Sequence, residues 1–349
     1  MFADVMVKKY ISWIYFPIMS GMTYREAGVD IDEEENAISA LKGALNFVRE
    51  GFGKPLKSEF TGLVDFGEYA LSLCTDGVGT KLLIADAVEK WDTIGIDCMA
   101  MNVNDTICQG AEPIAFVDYL AVEKPDSKLM VEIGKGLRNG AEMANITIIG
   151  GETATLGDIV KGFDLAGTAL GFVKKEDIID GKDVVPGDRI IGLPSSGVHS
   201  NGYTLVRKIV ERSGYDYGDE LEFGVLGEVL LEPTTIYVRD VVRALKKYNI
   251  KGMANITGGG LRNINRINNE YGYFIDYPLE PQPIFGFLQK HGEVSDREMY
   301  QTFNMGMGFC LIVSEEEAHD AADFLKGKVV GKVVREKGVR LPSKNLEYE

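Results

Sequence analysis

The chain has 349 residues, about twice the length of a usual domain, so we expect two domains whose core needs no disulfides or metal. Hydrophobic residues make up 45% and charged residues 26%, which excludes long disorder. Because 37 Lys and Arg oppose 53 Asp and Glu, the net charge is -16. Such a surface repels polyphosphates, which disfavours nucleic acid or an anionic membrane as a partner.

The cysteine and glycine content further narrows the class of protein. The four cysteines lack CxxC spacing and only three histidines are present, so no zinc-site pattern arises. We therefore expect free thiols and a cytoplasmic location. The 41 glycines exceed the roughly 24 that an average share of about 7% would give, which indicates loops lying close to a ligand.

The N-terminal 21 residues differ from the rest. Lys8 and Lys9 precede about ten mostly apolar residues that Pro17 interrupts, as at the start of a signal peptide, but the run is too short to span a bilayer and no cleavage site follows. We interpret residues 1–21 as an extension upstream of Met22. No other stretch is expected to cross a membrane.

Periodicity predicts a β-rich first domain, residues 22–174. Carboxylates at positions 32–35 begin a helix that runs to about residue 50. The following elements are strands at 69–73, 114–122, 146–149 (buried) and 164–173, and helices at 93–109 and 127–144.

The charged, turn-forming residues 174–188 mark the boundary to a second domain, residues 175–349. Alternating strands and helices predict an α/β domain. Its strands are expected at 189–193, 273–277, 307–313 and 329–334, and its helices at 201–213, 232–248, 260–268, 283–291 and 316–326.

The loop from Cys74 to Lys81 is the first candidate site. Two glycines allow close backbone approach, while Asp76 could bind Mg²⁺ and Lys81 could meet a phosphate. The spacing is not that of a Walker A loop. A tight turn with a solvated Asp and Lys explains the same residues about equally well.

A second candidate lies on the predicted helix 93–109. Asp97, Met101, Asn104 and Asp105 fall on or near one stripe at helical spacing, and carboxylates among apolar neighbours favour a magnesium site over a plain amphipathic face. Helix polarity and capping are the alternative.

Three glycine-rich segments follow predicted strands, where α/β folds bind ligands. They are Gly150-Gly-Glu-Thr153, Ser195-Ser-Gly-Val-His-Ser-Asn-Gly-Tyr203 and Thr257-Gly-Gly-Gly260. The second and third precede helices, whose N-terminal N–H groups suit an anion. His199 is a candidate acid or base, although a lone loop histidine is more often structural. Together these loops and acids indicate Mg-nucleotide binding and phosphoryl transfer.

In their order, these motifs resemble the phosphoribosylformylglycinamidine cyclo-ligase (AIR synthetase) family from Met22 to about Val334. The resemblance rests on the family's opening at Tyr24–Asp32, TDGVGTK at Thr75–Lys81, DxxxxGAxP at Asp105–Pro113 and GGETA at Gly150–Ala154. The segments around Ser195–Tyr203, Thr257–Gly260 and Glu298–Asn304 are also similar.

The resemblance implies an α+β homodimer in which the β-rich domains pair into a barrel, each followed by an α/β domain of mixed sheet with flanking helices. It implies ATP and Mg²⁺ as cofactors, allows K⁺, and implies metal ligation by Asp76 and Asp105, with Asp97 and Asp65 as weaker candidates. Lys81 would neutralise phosphate charge, and His199 is the remaining motif histidine. The cofactor-binding residues it implies are Asp65, Thr75, Gly77, Gly79, Thr80, Asp97, Asn104, Gly110, Gly150, Gly151, Glu152 and Thr153. The substrate-binding residues are Ser196, Gly197, Ser200, Asn201, Thr257, Gly258, Gly259 and Gly260, and which loop takes which substrate stays open.

The implied reaction converts ATP and formylglycinamidine ribotide into 5-aminoimidazole ribotide, ADP and phosphate, through a phosphorylated formyl oxygen. Asn255 stands where the family commonly has His, so the general base stays open. The alternatives are a paralogous enzyme of the same superfamily, such as a thiamine-phosphate kinase, and a catalytically silent nucleotide-binding protein.

Overall fold

A computed structural model describes residues 21–29, 31–45 and 47–349, and side chains throughout these except at positions 31, 32, 34 and 35. The interpretation of residues 1–21 therefore falls almost wholly outside the described residues. Within the described ranges, no helix has the length and apolar character needed to cross a bilayer.

The first half of the chain forms a six-stranded sheet in the order β1-β2-β3-β6-β4-β5. All neighbouring strands are antiparallel except β4 and β5. The strands are β1 Pro55–Leu56, β2 Gly62–Phe66, β3 Tyr69–Gly77, β4 Glu112–Val122, β5 Thr147–Thr155 and β6 Phe163–Lys174. The helices are α1 Ile31–Ala44, α2 Leu82–Ala87, α3 Ile94–Ile107 and α4 Ser127–Ala144.

Helices α3 and α4 cover one face of this sheet and contact each other through glycine. A Cβ on Gly95 would lie 2.1 Å from the backbone nitrogen of Leu137, so only glycine lets the two helices approach this closely. Nearly every residue of α3 is buried as a result. Helix α3 is thereby fixed against the sheet, and it carries several candidate site residues.

The second half forms a seven-stranded mixed sheet in the order β10-β12-β7-β13-β11-β14-β15, with β8 and β9 as a separate hairpin. Its strands are β7 Arg189–Pro194, β8 Glu220–Leu221, β9 Gly224–Val225, β10 Gly252–Asn255, β11 Gly272–Ile275, β12 Met307–Val313, β13 Lys328–Val334, β14 Gly338–Leu341 and β15 Leu346–Tyr348. Its helices are α5 Tyr203–Ser213, α6 Leu226–Leu230, α7 Val238–Leu245, α8 Pro283–Gly292, α9 Asp296–Thr302 and α10 Ala318–Phe324. The prediction of a mixed α+β architecture is confirmed.

Several predicted elements differ from the structure. The helix predicted to run to about residue 50 ends at Ala44, and the helix predicted at 260–268 is a 3₁₀-helix, Gly260–Arg266. The strand predicted as buried at 146–149 is the exposed edge strand β5. The predicted loop from Cys74 begins later, because β3 continues to Gly77 and pairs with β6 throughout. The helix predicted over 232–248 is shorter, since α7 begins at Val238 and residues 232–237 are bonded to α3 instead.

Candidate active site

One row of residues crosses the first sheet and carries two carboxylates. Asp76 of β3 pairs with Gly167 of β6, Gly167 pairs with Asp118 of β4, and Asp118 pairs with Gly151 of β5. Paired residues share a face, and neighbouring strands lie about 4.8 Å apart, so the backbones of Asp76 and Asp118 are separated by about 10 Å. The face they share is the one covered by α3.

Asp118 was not among the predicted site residues. The sequence contains a signal for it, since a carboxylate interrupts the otherwise apolar strand 114–122. Burial raises the pKa of Asp118. A Cβ on Gly151 would lie 2.4 Å from Asp118 Oδ1, so the predicted residue Gly151 contributes by leaving room for this carboxylate.

Asp105 of α3 adds a third carboxylate. Its Oδ1 accepts a hydrogen bond of 2.8 Å from Asn255 Nδ2 at the end of β10. Burial raises the pKa of Asp105 to about 7, Asn255 and Arg266 oppose the shift, and Asp76 adds to it. Asn255 therefore holds Asp105 in place.

Asp76 lies on the same side of the sheet. Burial raises its pKa, and a 2.7 Å hydrogen bond from the backbone N–H of Gly77 opposes that shift. Asn102 Nδ2 of α3 donates to the backbone oxygen of Asp76 at 3.1 Å and ties the end of β3 to the helix. Two carboxylates whose charged forms are disfavoured by burial form a site that a cation would stabilise.

The donor set fits Mg²⁺. In the described part of the chain, no three His, Cys, Asp or Glu side chains are grouped closely enough to hold a metal by themselves. Mg²⁺ usually takes one or two protein carboxylates and completes its shell with water and substrate phosphates. Asp76 and Asp105 supply such a set, with Asp118 about 10 Å from Asp76 across the same row.

Two loops of the second domain meet beside Asp105. Asn201 Nδ2 lies 3.9 Å from Met101 Sδ, one turn before Asp105 on α3. A Cβ on Gly258 would lie 3.2 Å from Asn201 Oδ1, which brings the two predicted substrate loops together. Gly260 has a φ of +53°, and a Cβ there would lie 2.1 Å from the backbone oxygen of Tyr300, so the turn requires glycine.

The remaining residues of the predicted loop 195–201 are held mainly by bonds to segments distant in the sequence. Ser196 Oγ donates to the Pro233 oxygen at 2.6 Å, Ser200 Oγ lies 3.3 Å from Thr234 Oγ1, and Asn304 Nδ2 donates to the Gly197 oxygen at 2.8 Å. These bonds hold the loop against its surroundings without a ligand. Its backbone leads through Gly202 into the N-terminus of α5, an 11-residue helix.

His199 does not fit the predicted role of acid or base. Its side chain is buried, and its Nε2 accepts a 3.2 Å hydrogen bond from the backbone N–H of Ser196. Burial, with a smaller contribution from the charge of Lys81, lowers the pKa of His199 to about 3. A neutral ring with its nitrogen already bonded supports the loop rather than moving a proton.

Lys81, Asp97 and Asn104 also differ from their predicted roles. All three side chains are completely buried. Lys81 Nζ lies 2.8 Å from Asp97 Oδ2, and Asn104 Nδ2 donates to the Thr235 oxygen at 2.8 Å. Asp97 is thus engaged by Lys81 rather than open to a metal, and Lys81 is enclosed rather than facing a phosphate.

Asp65 of β2 lies beside the end of β3 that is far from Asp76. It pairs with Ala70, six residues or about 20 Å along the strand from Asp76, and its carboxylate contacts Lys175 Nζ at 2.7 Å. The hydrogen bond from Lys175 lowers its pKa. Within one chain the structure does not bring Asp65 to Asp76.

The other predicted residues are spread over several parts of the molecule. Thr75 Oγ1 donates to the Gly167 oxygen at 2.9 Å, and Thr80 Oγ1 lies 3.1 Å from Thr204 Oγ1. Gly79 and Gly110 adopt positive φ, the latter at the end of α3. Gly150, Glu152 and Thr153 are exposed on the edge strand β5.

Arg266 is a second residue that sequence reasoning missed. Its guanidinium lies 4.1 Å from the centre of the Phe60 ring and donates to the Glu59 oxygen, which joins the two halves of the chain. Its charge lowers the pKa of Asp105. We call Asp76, Asp105 and Asp118 the acid cluster. Since Lys81 is enclosed, Arg266 is a cation that acts on this cluster. Its position six residues after the glycine triplet is the only signal for it in the sequence.

The two halves match known domain families. Residues 59–173 match the AIR synthase related protein, N-terminal domain, and residues 185–344 match the AIR synthase related protein, C-terminal domain. The solved structure of AaThiL complexed with AMPPCP and TMP has the same fold, with a TM-score of 0.66 at 17% identity, covering 92% of this chain and 97% of that one. The chain belongs to the AIR synthase related family.

Curated relatives define the branch of that family. The phosphoribosylformylglycinamidine cyclo-ligase of Methanosarcina acetivorans is 54% identical over 331 residues, which cover 93% of this chain and 98% of the relative. The phosphoribosylformylglycinamidine cyclo-ligase of Methanocaldococcus jannaschii is 50% identical over 324 residues, covering 90% and 92%. This chain is therefore a member of the phosphoribosylformylglycinamidine cyclo-ligase family, as its motifs predict.

Proposed function

We propose that this chain catalyses the ATP-dependent closure of formylglycinamidine ribotide to 5-aminoimidazole ribotide, with release of ADP and phosphate. The observation that carries the proposal is a sequence identity of 54% to a cyclo-ligase over 93% of this chain. The buried carboxylates between two glycine-rich loops provide the matching chemistry.

The proposed route has two steps. The formyl oxygen attacks the γ-phosphorus of ATP while the formamide nitrogen loses its proton to water, an O–P bond forms, and the bond to the β-phosphate oxygen breaks with its electron pair leaving on ADP. The amidine-derived nitrogen then attacks the former formyl carbon. The C–O bond breaks, phosphate departs and the nitrogen loses a proton to water. Phosphate leaves far more easily than hydroxide, so phosphorylation makes the ring closure feasible.

The chain's residues act mainly by positioning and charge. Asp76 and Asp105 would hold Mg²⁺, which neutralises charge on the ATP phosphates when bound. We place ATP along the acid row and the edge of β5. We assign the ribose phosphate of the second substrate to the loops 195–201 and 257–260, where N–H groups before α5 suit an anion.

The test is turnover of the purified chain with Mg-ATP and formylglycinamidine ribotide, followed by assay of ADP and aminoimidazole ribotide. Equal release of both products is expected. ADP release only with another acceptor, such as thiamine phosphate, would replace the proposed substrate. Nucleotide binding without any turnover would support the silent paralogue.

We propose further that the chain is a homodimer formed through the open face of the first sheet. This face lies opposite α3 and exposes apolar side chains, with Leu73 51% and Tyr119 44% accessible. Exposed contiguous apolar surface commonly marks an interface. Two such faces packed together would form the barrel that the family resemblance implies and would bring the β5 edges near the partner.

Sedimentation tests this interface. Leu73→Glu places a charge on the proposed interface and is expected to give monomers. Leu83→Glu is a matched control, because Leu83 is comparably exposed, at 44%, on α2 outside that face. A dimeric Leu73→Glu variant, or a wild-type monomer, would exclude the proposed interface.

Two broader assignments complete the proposal. We place the domain boundary between residues 174 and 175, because the last strand of the first sheet ends at Lys174. We assign the enzyme to the cytoplasm, because all four cysteines are buried free thiols, as a reducing compartment allows. Recovery of the activity from the soluble cell fraction, with the same unfolding behaviour in the presence and absence of a reductant, would agree with that assignment.

A further inference from the structure

A buried polar contact joins the two domains next to the acid cluster. On one side are Lys81 and two residues of α3, Asp97 and Asn104, and on the other are residues 232–237 and the backbone of His199. We call this contact the interdomain seam.

Lys81 uses its whole hydrogen-bonding capacity within the seam. An ammonium group has three N–H donors. Lys81 Nζ donates to Asp97 Oδ1 at 2.9 Å, to the His199 oxygen at 3.0 Å and to the Glu232 oxygen at 2.8 Å. No donor is left for a phosphate, and the side chain is fully enclosed.

Asp97 extends the contact across the domains. Its Oδ1 accepts hydrogen bonds from the backbone N–H of Thr234 at 2.8 Å and from Thr234 Oγ1 at 2.6 Å. Two turns further along α3, Asn104 donates to the Thr235 oxygen at 2.8 Å and accepts from the Tyr237 N–H at 3.1 Å. Helix α3 thus holds residues 232–237 in an irregular, non-helical segment.

The loop 195–201 rests on that held segment. Ser196 bonds the Pro233 oxygen, Ser200 contacts Thr234, and Lys81 bonds the His199 oxygen directly. The same helix carries Asp105, which belongs to the acid cluster. The position of the loop relative to the acids is consequently set through the seam.

We propose that Lys81 is a positioning residue that acts through Asp97 and Thr234 to hold the loop 195–201 at a fixed distance from Asp105. The proposal rests on the proposed function, in which the loop takes the ribotide phosphate and the acids take Mg-ATP. In this positioning role Lys81 makes no direct contact with a nucleotide phosphate, unlike the role predicted for it from the sequence.

Substitution of Thr234 separates the two roles, because Thr234 is on the loop side of the seam. Thr234→Val removes the hydroxyl bond to Asp97 and should lower kcat/KM for formylglycinamidine ribotide about tenfold or more, the loss expected for one hydrogen bond to a charged group. Binding of a non-hydrolysable Mg-ATP analogue should change less than about threefold, since no seam bond reaches the acid cluster. Thr234→Ser keeps the hydroxyl and should restore kcat/KM to near the wild-type value.

Lys81→Met should reproduce the Thr234→Val pattern. If Lys81 instead contacted phosphate, Lys81→Met would weaken analogue binding about tenfold or more while Thr234→Val would not, and the proposal would be overturned. Thr61→Val is the matched control, since Thr61 is also buried, with its hydroxyl bonded to Ser72 Oγ at 2.8 Å outside the seam. It should lower stability without changing either substrate parameter.

Amide hydrogen exchange tests the role of the interdomain seam independently of turnover. Backbone amides of residues 195–202 should exchange faster in Thr234→Val and Lys81→Met, and at the wild-type rate in Thr61→Val. Unchanged exchange in the seam variants would overturn the positioning role even if the cyclo-ligase activity is measured as proposed. Absence of wild-type turnover with the expected exchange pattern would overturn only the proposed function.

Discussion

Replacement of Asp105 by Asn should stabilise the metal-free protein while abolishing turnover. Burial raises the pKa of this carboxyl group from 3.8 to about 7, so its ionised form is disfavoured in the folded state. The amide keeps an oxygen that can accept the hydrogen bond from Asn255 and removes the charge. A site built to hold a cation is expected to cost stability when the cation is absent.

The magnitude follows from the linkage between protonation and folding. Since the folded pKa lies above the unfolded one, the folded state binds the proton more tightly, and its stability falls as the pH rises from about 4 to about 7. A shift of about three units at about 1.4 kcal/mol each gives an upper limit near 4 kcal/mol above pH 7. The Asn variant avoids this loss, so its advantage should be near zero at pH 4 and full above pH 7.

Urea unfolding of both proteins between pH 4 and 8, with chelator and without nucleotide, measures this difference. Asp188→Asn is the contrasting control, because Asp188 is buried but bonded to Lys251 Nζ at 2.6 Å. That variant should lose stability, since it leaves a buried lysine without its charged partner. An Asp105→Asn variant no more stable than wild type at pH 8, or an advantage independent of pH, would refute the reasoning.

Three further substitutions test individual residues. Asp118→Asn should weaken Mg-ATP binding about tenfold or more, whereas Asp65→Asn should leave binding in the isolated monomer unchanged. Equal effects of the two substitutions in titration calorimetry would contradict the placement of Asp118, and not Asp65, in the nucleotide site. Arg266→Ala should lower kcat about tenfold or more, because a cation near the acid cluster is lost, and a kinetic assay with unchanged kcat would exclude that role. His199→Asn should retain the shape of the pH–rate profile between pH 6 and 9, because Asn tolerates the φ of +66° and the histidine is neutral there; loss of a limb from the profile would identify His199 as a proton carrier.

Elements with strong local signals are predicted well from the sequence. Helix α4 spans Ser127–Ala144, as predicted, because both ends are encoded locally. Asp126 accepts hydrogen bonds from the N–H groups of Lys128 and Leu129, and Asn145 adopts the left-handed conformation that ends a helix. No tertiary contact is needed to place these boundaries.

Elements that depend on distant contacts are predicted less well. The apolar residues at 146–149 suggest a buried strand, yet Ile149 of β5 is 67% exposed, because β5 is the edge strand of its sheet and no other described strand pairs with its free side. Residues 232–237 read as the first turns of a helix, but their backbone groups bond Asp97 and Asn104 of α3. Both outcomes are decided by tertiary contacts that periodicity does not contain.

The candidate site shows the same limit at the level of one helix. The residues of the stripe on α3 contact two different neighbours, because the helix turns 100° per residue. Asn104 lies about 20° around the axis from Asp97, while Asp105 lies about 80° from it, which is enough to face a different neighbour. Asp97 and Asn104 consequently bond the second domain, whereas Asp105 accepts from Asn255 beside the glycine loops. Sequence spacing identifies all three as buried polar residues, but only the packing of the second domain decides which carboxylate is neutralised by a lysine and which is left for a cation.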